Sequence, residues 1–192
     1  MPIHRPLDVM VEIIACDKNG KVERVRRFRS KSFVQNFIDI MLYGIMRPTA
    51  SAGAMGVTGR SVSGVWEGLT RSTNETMTLP TAIITTGADI VVGTGSTVVA
   101  TADYQMVGRA GRAQATLSTP VTNGLTRSFT LTATIAFATA TTINETGIEL
   151  PMLLGSASLA LTLLMIRDII SGGFAVSAGG AITIVYTISI TS

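Results

Sequence analysis

The sequence predicts a mainly β fold: an antiparallel β-sandwich, jelly-roll-like, preceded by an N-terminal β-hairpin and one amphipathic helix. Three observations lead there. Apolar residues recur at period two near both ends of the chain and over 126–137, and that period marks half-buried strands. The chain after residue 48 is rich in Thr, Ala, Gly and Ser, and Thr with the β-branched apolar residues suits pleated strands. Its apolar runs are short and separated by Gly, Pro, Asn and Thr turns, the pattern of antiparallel sandwiches and barrels. With 192 residues, one sizeable core can be buried.

The elements follow in order. Leu7, Val9, Val11, Ile13 and Ala15 alternate with Asp8, Met10, Glu12, Ile14 and Cys16, which predicts a strand. Asp17-Lys18-Asn19-Gly20 supplies turn chemistry, because Asn and Gly accept positive φ. Residues 21–29 return as a second strand with Val22, Val25 and Phe28 as its apolar members. Ser30 or Ser32 then caps a helix. Phe33, Val34, Phe37, Ile38, Met41, Leu42, Ile45 and Met46 recur at helical spacing. Gln35, Asn36 and Asp39 form the wet side, and Arg47-Pro48 ends the helix. This apolar stripe is a candidate docking surface, carried by Phe33, Phe37, Ile38, Met41, Leu42 and Ile45.

Residues 49–64 are small and rich in Gly and Ser, and read as a connector packed against something. The chain thus divides into a hairpin-helix module (1–48), a connector (49–64) and a β body (65–192). In the body, strand segments are expected near 65–69, 79–84 and 89–92, and at Val98-Val99 after a Gly93–Thr97 hairpin turn. The clearest strands are 126–137 and 182–190. Leu150 to Ile166 is uncharged for 17 residues, the lower limit for a spanning helix. Pro151, Gly155 and Ser156 interrupt it, and two buried strands are the preferred reading. No cleavable signal segment is evident at the start, and membrane association is not expected.

Charge is scarce and uneven. Charged residues make up 14% of the chain, against about 25% in ordinary soluble domains. Residues 1–47 hold nine basic and five acidic residues, net +4, while the other 145 hold six and seven, net −1. One Cys excludes an intrachain disulfide, and one His with one Cys leaves a zinc site short of ligands.

Candidate chemistry is thin, and no cofactor or metal is expected. His4 reads as a terminal solvated residue, and Cys16 as a small apolar filler. Gly93-x-Gly95 lacks the Lys of a P-loop and reads as a turn. Arg109, Gly111 and Arg112 read as a basic loop. Glu145 and Glu149 lie four apart on a β-like segment that gives no reason to raise either pKa, and suit inter-subunit salt bridges. Asn74-Glu75-Thr76 and Asn144-Glu145-Thr146 match the glycosylation pattern, with no signal segment to support it. The sharpest functional candidate is the basic stripe Arg24, Arg26, Arg27, Arg29 and Lys31. On a strand, 27, 29 and 31 share one face and 24 and 26 the other. Such a stripe suits phosphate contacts. It equally suits an inter-subunit salt-bridge strip or a solvated hairpin, and its modest footprint favours these over nucleic acid.

Three blocks carry a resemblance. They are Arg-Ser-Lys-Ser-Phe-Val-Gln-Asn-Phe-Ile-Asp-Ile (29–40), Ile-Val-Val-Gly-Thr-Gly-Ser-Thr (90–97) with Asp103-Tyr104, and Thr-Ile-Asn-Glu-Thr-Gly-Ile-Glu (142–149) with the segments at 166–170 and 176–188. Together they are similar to β-sandwich structural proteins of the virions of tailed phages and archaeal viruses. The resemblance implies a non-enzymatic subunit, located in the virion and partnered by copies of itself and by other virion proteins. It leaves shell, decoration, tail and fibre open. The rivals are a tail-fibre or receptor-binding module recognising a host surface, and a shell protein touching the genome through the basic hairpin. The first predicts an exposed aromatic cluster, yet Trp66, Tyr43, Tyr104 and Tyr186 are the only Trp and Tyr residues.

Overall fold

A computed structural model describes residues 7–30, 32–37, 58–64, 66–68, 87–154 and 159–191. The chain is mainly β, with two large antiparallel sheets. Sheet A runs in the order β2 (Val22–Arg29), β1 (Leu7–Cys16), β12 (Ala181–Thr191), β9 (Thr126–Ala136), β7 (Thr116–Leu117), and β8 (Val121–Asn123) also pairs with β9. Sheet B runs β11 (Leu159–Val176), β10 (Thr141–Leu154), β5 (Asp89–Gly93), β6 (Arg109–Gln114). A small third sheet pairs β3 (Thr58–Arg60) with β4 (Trp66–Gly68).

Period two sets the sides. Val9, Val11, Ile13 and Ala15 of β1 are buried, as are Ile182, Ile184 and Tyr186 of β12 and Leu131, Ala133 and Ile135 of β9. They meet Ile90 and Val92 of β5, Ile143 and Ile148 of β10, and Ile166, Ile170 and Phe174 of β11 in one apolar core drawn from both sheets. A one-residue slip would turn each of these side chains outward, so the pattern also sets the register. The first hairpin forms as expected. Asp17 Oδ1 accepts bonds from the Asn19 and Lys21 amides at 2.8 and 2.9 Å, and Gly20 takes φ 80°. These bonds, the Lys21 amide first, hold the Asp17 carboxyl below its ordinary value.

The hairpin does not stand apart from the body. β1 pairs with β12 from Leu7↔Ile190 to Cys16↔Ala181, so residues 7–16 share a sheet and a core with the last strand. Helix begins at Gln35–Phe37; Ile38, Met41, Leu42 and Ile45 of the expected docking stripe lie outside the described residues. Phe33 and Phe37 stack at 4.4 Å between ring centroids and pack against the core. Asn36 departs from its expected wet position. It is 3% exposed, donates to the Arg60 and Leu164 carbonyls, and accepts from the Arg60 amide. The stretch before the helix lies along β11, with Phe33 bridged to Ile166 and the Arg167 amide donating to the Ser32 carbonyl. Connector residues 61–62 run beside β11 as well.

The apolar run after Leu150 is two strands, not a helix: β10 and β11 pair from Thr141↔Val176 to Leu154↔Leu159. Among the described residues no helix is long and apolar enough to cross a membrane. Two expectations in the body change. Val98-Val99 forms no strand, and Gly93–Thr97 is no tight turn: together they open a fifteen-residue connection, 94–108, between β5 and β6. Arg109, Gly111 and Arg112 form the edge strand β6 instead of a loop. The expected segment at 79–84 lies outside the described residues.

Candidate functional site

A loop as long as 94–108 is unusual inside a compact domain and is commonly functional. Its partner surface is the face of sheet B opposite the main core. Along β5, Ile90 and Val92 point into the core, while Val91 joins Val34, Met106 and Leu164 in a second apolar cluster on the other side. Glu145, Gly147 and Glu149 alternate onto that second side of β10, and Thr146 and Ile148 onto the first.

A buried ion network fastens the loop there. Arg167 is 1% exposed in its side chain. Its Nε donates to Glu145 Oε2 at 2.7 Å, its Nη1 to Asp103 Oδ2 at 2.6 Å, and its Nη2 to the Thr97 carbonyl at 3.1 Å. Asp103 Oδ2 also accepts from the Ala100 amide, and the Gln35 amide donates to the Thr101 carbonyl. One guanidinium therefore joins β10, β11 and both halves of the loop. Beside it, Arg109 Nη2 pairs with Glu149, which is fully buried, and Arg112 lies 3.8 Å from Asp89. The Arg60 guanidinium stacks over the Tyr104 ring, 3.7 Å from its centroid.

The electrostatics follow from burial. Desolvation pushes the Glu145 carboxyl above its ordinary value, against the hydrogen bond and charge of Arg167. The Gly95 and Val107 amides oppose that rise, and Oε1 itself has no hydrogen-bond partner. Glu149 is raised for the same first reason, against Arg109 and Arg112. For Arg167, burial works against the charge. The bonds and charges of Glu145 and Asp103 outweigh it, so the guanidinium holds its proton more firmly than usual. On the core side, desolvation pushes the Tyr186 hydroxyl well up, and the Asp168 charge adds to this. Tyr186 donates to Thr146 Oγ1 at 3.2 Å.

Two glycines make room for this arrangement. A Cβ on Gly93 would run into Glu145 Oε1, and one on Gly147 into the Ile166 carbonyl oxygen. Gly93 thus clears space for a buried carboxylate, and Gly95 lets Val107 approach closely. The expectation that nothing raises Glu145 or Glu149 is corrected: both are 0% exposed. A signal was present. Glu145 and Arg167 are opposite charges embedded in two apolar strands flanking one turn, where a hairpin brings them close.

Comparison with protein-family models, with curated proteins and with solved structures finds no match to this chain.

The basic stripe divides. Arg27 and Arg29 lie outward, bound to Glu12 at 2.7 Å and near Asp8 at 3.5 Å. Arg24 and Arg26 lie on the opposite face and reach β11, where Arg24 covers the Phe174 ring and Arg26 Nη1 donates to the Ser171 carbonyl at 2.6 Å. Lys31, His4 and Asn74 lie outside the described residues. Asn144 spends its amide on the Thr94 carbonyl. A shallow cleft of about 390 Å³ lies between Phe28 and Arg29 of β2, Val98 and Val99 of the loop, and Asp168 and Ile169 of β11. Its walls are chiefly apolar. Among the described residues no cluster of three or more His, Cys, Asp or Glu could hold a metal ion.

Proposed function

We propose that the chain is a non-catalytic structural subunit of a virus particle, a two-sheet sandwich that associates with copies of itself and with other particle proteins. The finer fold reading is a sandwich assembled from hairpins: β1–β2, β5–β6 and β10–β11 each pair within one sheet.

One observation carries the reading. Arg167 of sheet B is spent on Glu145 and on Asp103 of the loop it fastens down, and Glu149 on Arg109, while Asp168 borders the open cleft with Val98 and Val99 of that loop. Such a network holds a shape and leaves no room for a substrate at its charges. The sequence resemblance and the charge-poor body point the same way, since surface lacking charge is commonly buried in repeated copies. Electron microscopy of the purified chain tests it. A repeating shell, tube or ring is expected; a stable monomer at every concentration overturns it.

A further inference from the structure

The outer face of sheet A, turned away from the core, has the wrong composition for a solvated sheet. An antiparallel sheet with one wet face normally alternates apolar residues inside with polar and charged residues outside. Here the register sets out the outward residues in cross-strand rows. One row is Val25, Ile14, Thr183, Thr134; the next is Arg27, Glu12, Val185, Thr132, Thr116; the next is Arg29, Met10, Thr187, Thr130. The only charges in these rows are Arg27, Glu12 and Arg29. Arg27 is bound to Glu12, and Arg29 is drawn to Asp8 of the following row. From Val185 across to β7 there is none. Val22, Val25 and Val121, each half exposed or more, stand on this same face.

The threonines add to the apolar character. Thr134 Oγ1 and Thr183 Oγ1 bond each other at 2.8 Å, and Thr126 Oγ1 and Thr191 Oγ1 at 2.9 Å. A hydroxyl satisfied sideways within the sheet leaves its γ-methyl to face outward. Covering these two pairs strips water from fewer polar groups than four unpaired hydroxyls would present, which lowers the desolvation cost. A glycan would need those hydroxyls unspent. The described strands that make the larger contacts with sheet A from outside it, β5, β6 and β11, belong to sheet B.

We infer that the outer face of sheet A docks face to face on a second copy of this chain. The inference deepens the self-association reading above and rests on it. Size supports the occupant. Four strands of eight to eleven residues, with the short β7 and β8 beside β9, spaced about 4.8 Å apart and rising about 3.4 Å per residue, give a face of about 700 Å². That is about the area each partner contributes to a standard stable interface. The distribution fits as well: charge-depleted at the centre, with the Arg27–Glu12 and Arg29–Asp8 pairs toward the β2 side, as a polar rim requires. Two such sheets would stack about 10 Å apart with their strands roughly aligned.

The test uses the full chain and two kinds of variant. Val185→Arg and Thr187→Arg place like charges at the centre of both facing sheets. Sedimentation equilibrium should show self-association of the wild type weakened about 100-fold or more in each. Val185→Cys in a Cys16→Ala background is the gentler probe. Its thiol should react at least about tenfold more slowly with a maleimide in the associated protein than in dilute monomer. Val98→Cys, in the same background and on the 94–108 loop, should react equally in both. If the wild type associates but both arginine variants associate equally well, or Cys at 185 reacts at one rate throughout, the face is not the interface and only this inference falls. If the wild type is monomeric at all concentrations, the self-association reading falls with it.

Discussion

Arg167→Met probes the buried network most directly. The substitution keeps much of the side chain's bulk and removes both ion pairs and the bond to Thr97. Asp103, 23% exposed, can regain water; Glu145, fully buried, cannot. Glu145 then escapes by taking a proton. Its ordinary value is 4.5. Protonating it at pH 7 costs about 1.4 kcal/mol for each of about 2.5 units, so its share of the loss has a ceiling of about 3.4 kcal/mol. That lies within the about 3–5 kcal/mol typical of breaking a buried pair from one side. The sign of the pH dependence follows. A carboxyl whose folded pKa is raised contributes stability below its unfolded value and loses it as pH rises through the folded one. The penalty should therefore shrink in acid, to a ceiling of about 1.4 kcal/mol at pH 5.5. Urea unfolding of wild type and variant at the two pH values measures it. A difference below about 1 kcal/mol at pH 7, or one equal at both, would refute the assignment of Glu145 as a buried ion held by Arg167.

Three further outcomes are expected. Gly147→Ala forces a methyl against the Ile166 carbonyl and should cost about 1–3 kcal/mol, the usual range for overpacking, read as a lowered melting temperature. Tyr186→Phe removes the bond to Thr146 and should cost about 1 kcal/mol by urea unfolding. In the wild type, the Tyr186 phenolate should appear at 295 nm only as the protein unfolds in alkali, because a hydroxyl raised on folding loses stability as pH rises through it. Arg27→Ala with Arg29→Ala touches two exposed ion pairs. It should change stability by no more than about 1 kcal/mol each, with the difference vanishing in high salt.

The fold was legible where one face is buried and the other is not. Val9 to Ala15, Phe129 to Phe137 and Ile182 to Ile188 carry an apolar residue at every second position because each borders one core. Where both faces are covered the signal fails. Gly147, Ile148 and Glu149 are all buried, Ile148 by the main core and its neighbours under the loop, so the strand shows no period. Val98-Val99 illustrates the opposite error. Two β-branched residues suit a strand by propensity, but here the 94–108 loop is held by Arg167 and Asp103, contacts about seventy residues apart that propensity does not register. Asn36 was misplaced for a similar reason: its helix start is covered by β3, whose Arg60 backbone satisfies the buried amide.

A charge-poor body that places Glu145, Glu149 and Arg167 inside is poorer in surface charge than its composition suggests. Energy alone does not explain that placement, because well-packed apolar residues of similar volume often match or exceed a buried ion pair in stability. What apolar residues lack is direction. Arg167 reaches Glu145, Asp103 and the Thr97 carbonyl only when loop 94–108 occupies one position. Greasy contact would hold the loop in several. The double variant Arg167→Met with Glu145→Leu separates the two contributions. Its unfolding free energy should recover most of the loss seen in Arg167→Met, since no buried charge remains unpaired. Amide exchange within 95–103 should nonetheless run at least about tenfold faster than in the wild type, equivalent to about 1.4 kcal/mol of local protection. Wild-type exchange in this segment, together with recovered stability, would mean that backbone bonds and the Val91–Met106 cluster set the loop without the ions.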